Sequence, residues 1–303
     1  MPDLSVNLCG VRLANPIVAA SGTFGFGREF EDFYDLSEIG AICVKGLTVK
    51  PRQGNPPPRI AETPAGMLNS VGLQNPGVDA FCEREMPHLK QCGTKIIANI
   101  SGNTPEEFQE LAEKVSDAGV DLIEVNISCP NIHCGGAAFG MHTDTTAAAT
   151  KAAKAGATVP VIVKLSPNVT DIVEIARAAA DAGADGLSLI NTLLGMRIDL
   201  DSRRPILRNN TGGLSGPAVL PIAVRMIWQV ASAVKLPILG MGGVSTGRDA
   251  AELMLAGADA VAVGAENLVD PMACVRIRDE LSSYLTSHNI SAAQDLTGGV
   301  IPY

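Results

Sequence analysis

Short, almost wholly apolar runs alternate along this chain with longer amphipathic stretches, and one junction between them recurs. Asp117-Ala-Gly-Val-Asp-Leu-Ile-Glu-Val-Asn126, Asp181-Ala-Gly-Ala-Asp-Gly-Leu-Ser-Leu-Ile-Asn191 and Leu255-Ala-Gly-Ala-Asp-Ala-Val-Ala-Val-Gly264 share a single design. An alanine-rich helix stops at a glycine (Gly119, Gly183 or Gly257) suited to the left-handed position after a helix end. An aspartate then turns the chain, and an apolar strand follows. Strands apolar on both faces belong to buried parallel sheets.

The pattern predicts strands at Ile17–Ala20, Ala41–Lys45, Lys95–Ile100, Leu122–Ile127, Val161–Leu165, Gly186–Ile190, Ile238–Gly240 and Ala260–Val263. Between them, Thr104-Pro-Glu-Glu107 reads as a capping box with Pro105 at the first helical position. Phe108, Leu111, Ala112 and Val115 then mark one helical face. Further helices are expected to begin near Thr170 and Thr246. Strands alternating with helices in this way predict an α/β chain, a (β/α)8 TIM barrel forming a single domain over 1–303. Leu4–Val6 and Val11–Leu13, joined through Cys9-Gly10, predict an N-terminal β-hairpin ahead of the barrel. Thr48 to Asp79 and Thr192 to Pro217 are too long for plain connections. Both follow strand ends, so both are expected as insertions at the C-terminal face, over the mouth. A two-domain dinucleotide-binding arrangement is weaker, because no Gly-x-Gly-x-x-Gly follows an early strand.

Composition narrows the chemistry. The 303 residues suit one barrel or two small domains, and a net charge of -9 argues against nucleic acid or an anionic membrane as partner. The N-terminus has neither the basic nor the apolar region of a signal peptide, and no apolar run is long enough to span a bilayer. Seven scattered cysteines without a Cys-x-x-Cys pair read as reduced, cytoplasmic thiols. That spacing offers no iron–sulfur or structural zinc site.

Chemistry concentrates at the strand exits, where this fold keeps its reactive groups. They read Ser21-Gly22, Lys45-Gly46, Asn99, Asn126 with Cys129, Lys164, Asn191-Thr192, Gly242-Gly243 and Gly264-Ala265. A lysine ending a buried strand must meet an anion or bear desolvation. Lys45 and Lys164 therefore read as partners of a carboxylate, a phosphate or a reduced cofactor, the alternative being side chains that snorkel out at the rim. Gly240-Met-Gly-Gly243 and Gly264 stand where backbone N–H groups bind phosphate, the alternative being tight turns. Cys129, between Ser128 and Pro130, reads equally as a buried structural thiol or as an acid/base or nucleophilic group. His133 and Cys134 add too few ligands for zinc, and no metal is expected. Asn69-Ser-Val-Gly-Leu-Gln-Asn75 is a polar patch that also reads as a solvated loop.

Val44-Lys-Gly46, Asn69-Ser-Val-Gly-Leu73, Asn126-Ile-Ser-Cys-Pro-Asn131, Val163-Lys-Leu-Ser-Pro-Asn168, Asn191-Thr192 and Gly242-Gly243, in this order, resemble the dihydroorotate dehydrogenases, the flavin enzymes of pyrimidine synthesis. The resemblance spans residues 4 to 300. The short N-terminus resembles the soluble class 1 enzymes. Asn69-Ser-Val-Gly-Leu-Gln-Asn-Pro-Gly77 and Asn191-Thr-Leu-Leu-Gly-Met-Arg197 resemble class 1B, the NAD-linked type, with fumarate-linked class 1A as the close alternative.

The resemblance implies FMN bound by Ser21, Lys45, Gly46, Asn99, Asn126, Lys164, Ile190, Gly216, Gly242, Gly243, Gly264 and Ala265. It implies dihydroorotate bound by Lys45, Asn69, Ser70, Val71, Gly72, Leu73, Asn126, Asn191 and Thr192, with Cys129 as catalytic base. Many members carry threonine where this chain has Ala265, so one hydroxyl contact to the phosphate is lost. A thiolate can take the substrate's carbon 5 proton, hydride can pass from carbon 6 to the flavin, and Lys164 can stabilise the charge that develops there. The resemblance further implies a catalytic homodimer joined to a subunit carrying FAD and a [2Fe–2S] cluster, a heterotetramer that passes electrons to NAD. A reading from another class is a Schiff-base lyase with Lys164 or Lys45 as nucleophile.

Overall fold

The computed structural model describes residues 1–127 and 139–303. Among them, eight parallel strands close a barrel: β1 (Ile17–Ala19), β2 (Ala41–Cys43), β3 (Lys95–Ile100), β4 (Leu122–Asn126), β5 (Val161–Lys164), β6 (Gly186–Leu189), β7 (Ile238–Met241) and β8 (Ala260–Val263). Each strand pairs with its sequence neighbours, and β8 closes the ring onto β1. The sequence pattern places all of these strands. Several predicted ends run a residue or two too far, because the backbone there leaves the ladder for the mouth. Beyond β2, for instance, the Lys45 N–H turns to Gly25 O. β7 instead runs one residue further than expected. Gly240 therefore lies inside the strand, where a Cβ would press on Ala258 and Ile227, so it packs the barrel wall.

Among the described residues, six α-helices of ten or more residues flank the barrel: α1 (Pro105–Ala118), α2 (Thr143–Gly156), α3 (Ile172–Asp181), α4 (Leu220–Ala233), α5 (Gly247–Ala256) and α6 (Ala273–Ser287). Their starts refine the expected caps. Thr104 Oγ1 accepts the Glu107 N–H at 3.3 Å, but Glu107 reaches back past Thr104 to the Asn103 N–H at 2.6 Å. The expected capping box is thus half formed and closes one residue early. α3 is capped by Asp171, which accepts from Val173 N, and not by Thr170. α5 has the full reciprocal box between Thr246 and Asp249.

The N-terminal hairpin pairs Val6–Leu8 with Val11–Leu13, two residues later on its first strand than expected. The turn decides this. Cys9 and Gly10 both have positive φ, 53° and 85°, as a two-residue hairpin turn requires, and that fixes Leu8 opposite Val11.

The recurring aspartates have a physical task at the amino-terminal end of the barrel. Asp121, ahead of β4, accepts the N–H of Ile96 in β3 at 2.9 Å. Asp185, ahead of β6, does the same for Val161 in β5 at 2.7 Å, and Asp259, ahead of β8, for Ile238 in β7 at 2.8 Å. Asn15 plays this part for β1 and β2, accepting from Ile17 N and Gly40 N, both at 3.1 Å. Strands are thus stitched in pairs below an apolar core in which Ile17, Ile42, Ile123, Val163 and Leu187 are fully buried.

At the opposite end the two long insertions are not loose loops. Ile60–Thr63 and Gly66–Asn69 come from the first, Leu193–Gly195 and Gly212–Ser215 from the second. They form one antiparallel sheet in which Gly66–Asn69 pairs with Gly212–Ser215. Among the described residues, no helix is long and apolar enough to cross a membrane.

Burial raises the Asp259 carboxyl pKa above its ordinary 3.8, against the lowering pull of the Ile238 N–H. A carboxyl raised on folding contributes stability at low pH and loses it as pH climbs through the folded pKa. Asp259→Asn keeps an acceptor for Ile238 and removes the charge, so its stability should gain on the wild type as pH rises from acid to neutral. Asp259→Ala leaves a buried N–H without its acceptor and should lose about 1–3 kcal/mol at every pH. Urea unfolding across that range checks both, and a pH-independent gap between Asn variant and wild type would refute the assignment.

Candidate active site

The carboxyl ends of the barrel strands and the insertion sheet enclose a cavity of about 670 Å³. Its wall is built from far-apart segments. Ser21 and Gly22 follow β1, Lys45 and Gly46 follow β2, Asn99 is the last residue but one of β3, Asn126 ends β4 and Lys164 ends β5. Ile190, Asn191 and Thr192 follow β6, Gly242 and Gly243 follow β7, and Gly264 and Ala265 follow β8. Asn69, Val71, Gly72, Leu73 and Gly216 enter from the insertions.

The floor is polar and buried. Glu124, on β4, is wholly buried in mid-barrel. Its Oε2 accepts from Asn99 Nδ2, lies 3.6 Å from the Lys164 ammonium, and accepts the Cys43 thiol at 3.3 Å. Burial first, and the Glu124 charge second, push the Cys43 thiol well above the usual range, which keeps it a neutral donor. Asn126 Nδ2 donates to Asn99 Oδ1 at 3.4 Å. Sheet register explains the convergence: Asn99 lies level with Glu124, Asn126 with Lys164, and Lys164 with Ser188. The nearest carboxylate to Lys164 is therefore the protein's own Glu124, while Lys45 stands above Gly22 across the floor, its Nζ 3.9 Å from where a Cβ would sit.

Glycine shapes the wall at two places. A Cβ on Gly46 would lie 2.8 Å from Asn99 Oδ1, so only glycine lets the backbone approach that amide. Gly243, at φ +79°, sits where a Cβ would meet the Leu220 N–H at the start of α4 at 2.5 Å. The β7 exit thereby comes against the amino end of a helix, an arrangement that favours anions.

Of the predicted contact residues, Ser70 alone among the described ones does not line the cavity. Its side chain is fully buried and has no hydrogen-bond partner among the described residues, and its carbonyl is tied to Asn55 Nδ2. Its N–H is taken by Arg59 O, while Asn69 and Val71 on either side line the cavity. Cys129, with His133 and Cys134, lies outside the described residues. Two residues that support the cavity wall from behind went unassigned in the sequence. Glu124 had a legible signal, an ionisable side chain amid an apolar strand. Asn168 had only its place in Ser-Pro-Asn; it donates to Thr192 O at 3.0 Å and accepts Leu194 N at 2.9 Å, pinning the start of the second insertion.

Comparison with known proteins agrees with this geometry. The family model for dihydroorotate dehydrogenase matches residues 3–285. The chain is 55% identical over 300 residues to "Dihydroorotate dehydrogenase B (NAD(+)), catalytic subunit" from Geobacter sp. (strain M21), covering 99% of this chain and 98% of the relative. It is 54% identical over 296 residues to the protein of the same name from Bacillus pumilus (strain SAFR-032), covering 97% and 96%. A crystal structure of dihydroorotate dehydrogenase from Eimeria tenella in complex with ferulenol superposes with a TM-score of 0.83 over 99% of this chain and 89% of that one; at 24% identity it supports the fold. With a barrel whose strand exits converge on one polar, glycine-edged cavity, and with a family model spanning nearly its whole length, this chain belongs to the dihydroorotate dehydrogenase family.

Proposed function

We propose that this chain, acting as a single FMN-binding domain, oxidises dihydroorotate to orotate in pyrimidine synthesis as the catalytic subunit of an NAD-linked enzyme. The observation that carries the reading is the convergence of Lys45, Asn99, Asn126 and Lys164 with the glycine exits of β7 and β8 on one cavity. The relatives' shared name supports the NAD-linked type over the fumarate-linked one. A Schiff-base lyase fits less well, because the Lys164 nitrogen is engaged by the buried Glu124 carboxylate at 3.6 Å.

The family's cofactor is FMN, and the cavity fits it. Gly242, Gly243, Gly264 and Ala265 form the end suited to a phosphate; Lys164, Asn99, Asn126 and Lys45 form the end suited to a flavin's polar edge. FMN, when bound, supplies the hydride acceptor. The protein supplies everything else. Asn69, Asn126, Asn191 and Thr192 offer donors and acceptors that match the amide edges and carboxylate of dihydroorotate. Lys45 offsets the substrate's negative charge. Lys164 offsets negative charge arising on its side of the cavity during oxidation. Cys129 follows the cavity residue Asn126 by three positions and, as thiolate, takes the carbon 5 proton. The insertion sheet roofs the cavity and limits water. Ala265 provides a backbone N–H and no hydroxyl, which lowers phosphate affinity relative to a threonine.

Neither an iron–sulfur spacing nor a dinucleotide fingerprint stands in the sequence. The relatives are named catalytic subunits, so electrons leave through a separate protein. That partner carries FAD and a [2Fe–2S] cluster and binds a catalytic dimer in a cytoplasmic heterotetramer.

Dihydroorotate added without oxygen should bleach the yellow colour of the FMN-loaded protein. Cys129→Ala should slow bleaching about 10²–10⁴-fold near neutral pH, the range for a lost general base; stopped-flow absorbance decides, and an unchanged rate removes Cys129 from the role. Co-expression with a flavin and iron–sulfur partner should create NAD-dependent turnover. Turnover with fumarate by the isolated chain would instead establish the fumarate-linked type.

A further inference from the structure

Glu124 lies just beneath the cavity floor, against Asn99 and Lys164, and the proposed reaction gives it no task. It is wholly buried, it reaches no solvent, and its Oε1 has no hydrogen-bond partner among the described residues. Burying a carboxylate is costly, so its persistence in a strand whose other residues are Leu122, Ile123, Val125 and Asn126 calls for a reason. Its neighbours supply one. Among the described residues, Oε2 meets only donors that belong to the floor or lie just beneath it: Asn99 Nδ2, Cys43 Sγ and the Lys164 ammonium.

We propose that Glu124 is a positioning residue that sets the electrostatic and hydrogen-bonding state of the floor on which the flavin rests. Two consequences follow from its contacts. First, a carboxylate only accepts, so Asn99 must turn its NH₂ toward Glu124 and its oxygen away. That oxygen then accepts from Asn126 Nδ2, giving the directed chain Asn126 to Asn99 to Glu124. Gly46 leaves room for the Asn99 oxygen in this orientation. Second, Glu124 offsets part of the Lys164 charge at 3.6 Å. A bare ammonium would stabilise a reduced, anionic flavin strongly and hold its electrons. A tempered one stabilises it less and lets them leave for an acceptor. The inference rests on the FMN reading above and deepens it, assigning to a buried carboxylate the tuning of the cofactor's potential.

The test is a redox titration of FMN-loaded wild type and Glu124→Gln. The variant is isosteric, removes the charge and keeps one acceptor oxygen for Asn99, the other oxygen becoming an NH₂ donor. Its flavin midpoint potential should rise, with reduced FMN gaining at least tenfold over oxidised FMN in relative affinity, equivalent to about 30 mV for a two-electron couple. Glu124→Asp, which retains the charge, should bring the potential back toward wild type. An unchanged or lowered potential in Glu124→Gln overturns the proposal. If the Gln variant does not fold, the infrared difference spectrum of wild type between oxidised and reduced states decides: a buried carboxylate band that moves on reduction and is displaced in Glu124→Asp supports the role, and a spectrum without one overturns it. Failure of the FMN reading itself has a separate signature, wild-type protein that takes up no flavin.

Discussion

The floor of the cavity depends on a constraint that water never imposes: charges placed at the carboxyl ends of apolar strands must be answered locally. Lys164 ends a strand whose other residues are fully buried, and its own side chain is 7% exposed. An ammonium in such a place either sheds its proton or finds an anion. Glu124, one strand away, is that anion. Once both are present their remaining hydrogen-bonding capacity has to be met as well, which draws in Asn99, Cys43 and, through Asn99, Asn126. The polar floor is therefore one connected unit, and a change to any member is felt by the others.

The opposite end of the barrel makes that concentration of polarity tolerable. There the strand starts are fixed by Asp121, Asp185, Asp259 and Asn15, each holding a backbone N–H that the ladder leaves over. Stability is supplied at the amino-terminal face and in the apolar middle, so the carboxyl ends are left to hold costly groups. Gly46 and Gly243 belong to the same division of labour, giving up side-chain packing so that backbone reaches the Asn99 amide and the start of α4.

What was legible in the sequence follows from which signals are local. Parallel strands buried on both faces announce themselves as apolar runs, so the barrel and its strand exits could be placed in order. The recurring Ala-Gly-x-Asp junction marked the helix-to-strand turns, although that each aspartate stitches the preceding strand became clear only with register in hand. Non-local signals were lost. The pairing of Gly66–Asn69 with Gly212–Ser215 joins insertions far apart in the chain, and neither has the length or alternation to declare a strand alone. Ser70 was grouped with its cavity neighbours because a motif records adjacency, whereas the strand's alternation sends its side chain behind the wall. The hairpin register slipped because apolar residues at Leu4, Val6 and Leu8 fit either pairing, and only the positive φ at Cys9 and Gly10 chooses between them.

Glu124 sharpens that last point. In sequence it is one charged letter in an apolar strand, and a count of hydrophobic positions treats it as an exception. In the fold, register places it level with Asn99, and one strand over from Lys164, so the exception is what the neighbouring strands are arranged around. The alternation of a strand into a barrel interior leaves only every second residue available to a site. Glu124 and Asn126 occupy two successive inward positions of β4, one carrying charge below and one an amide above. The amide layer and the charged layer beneath it are coupled, because Asn99 bonds to both Asn126 and Glu124.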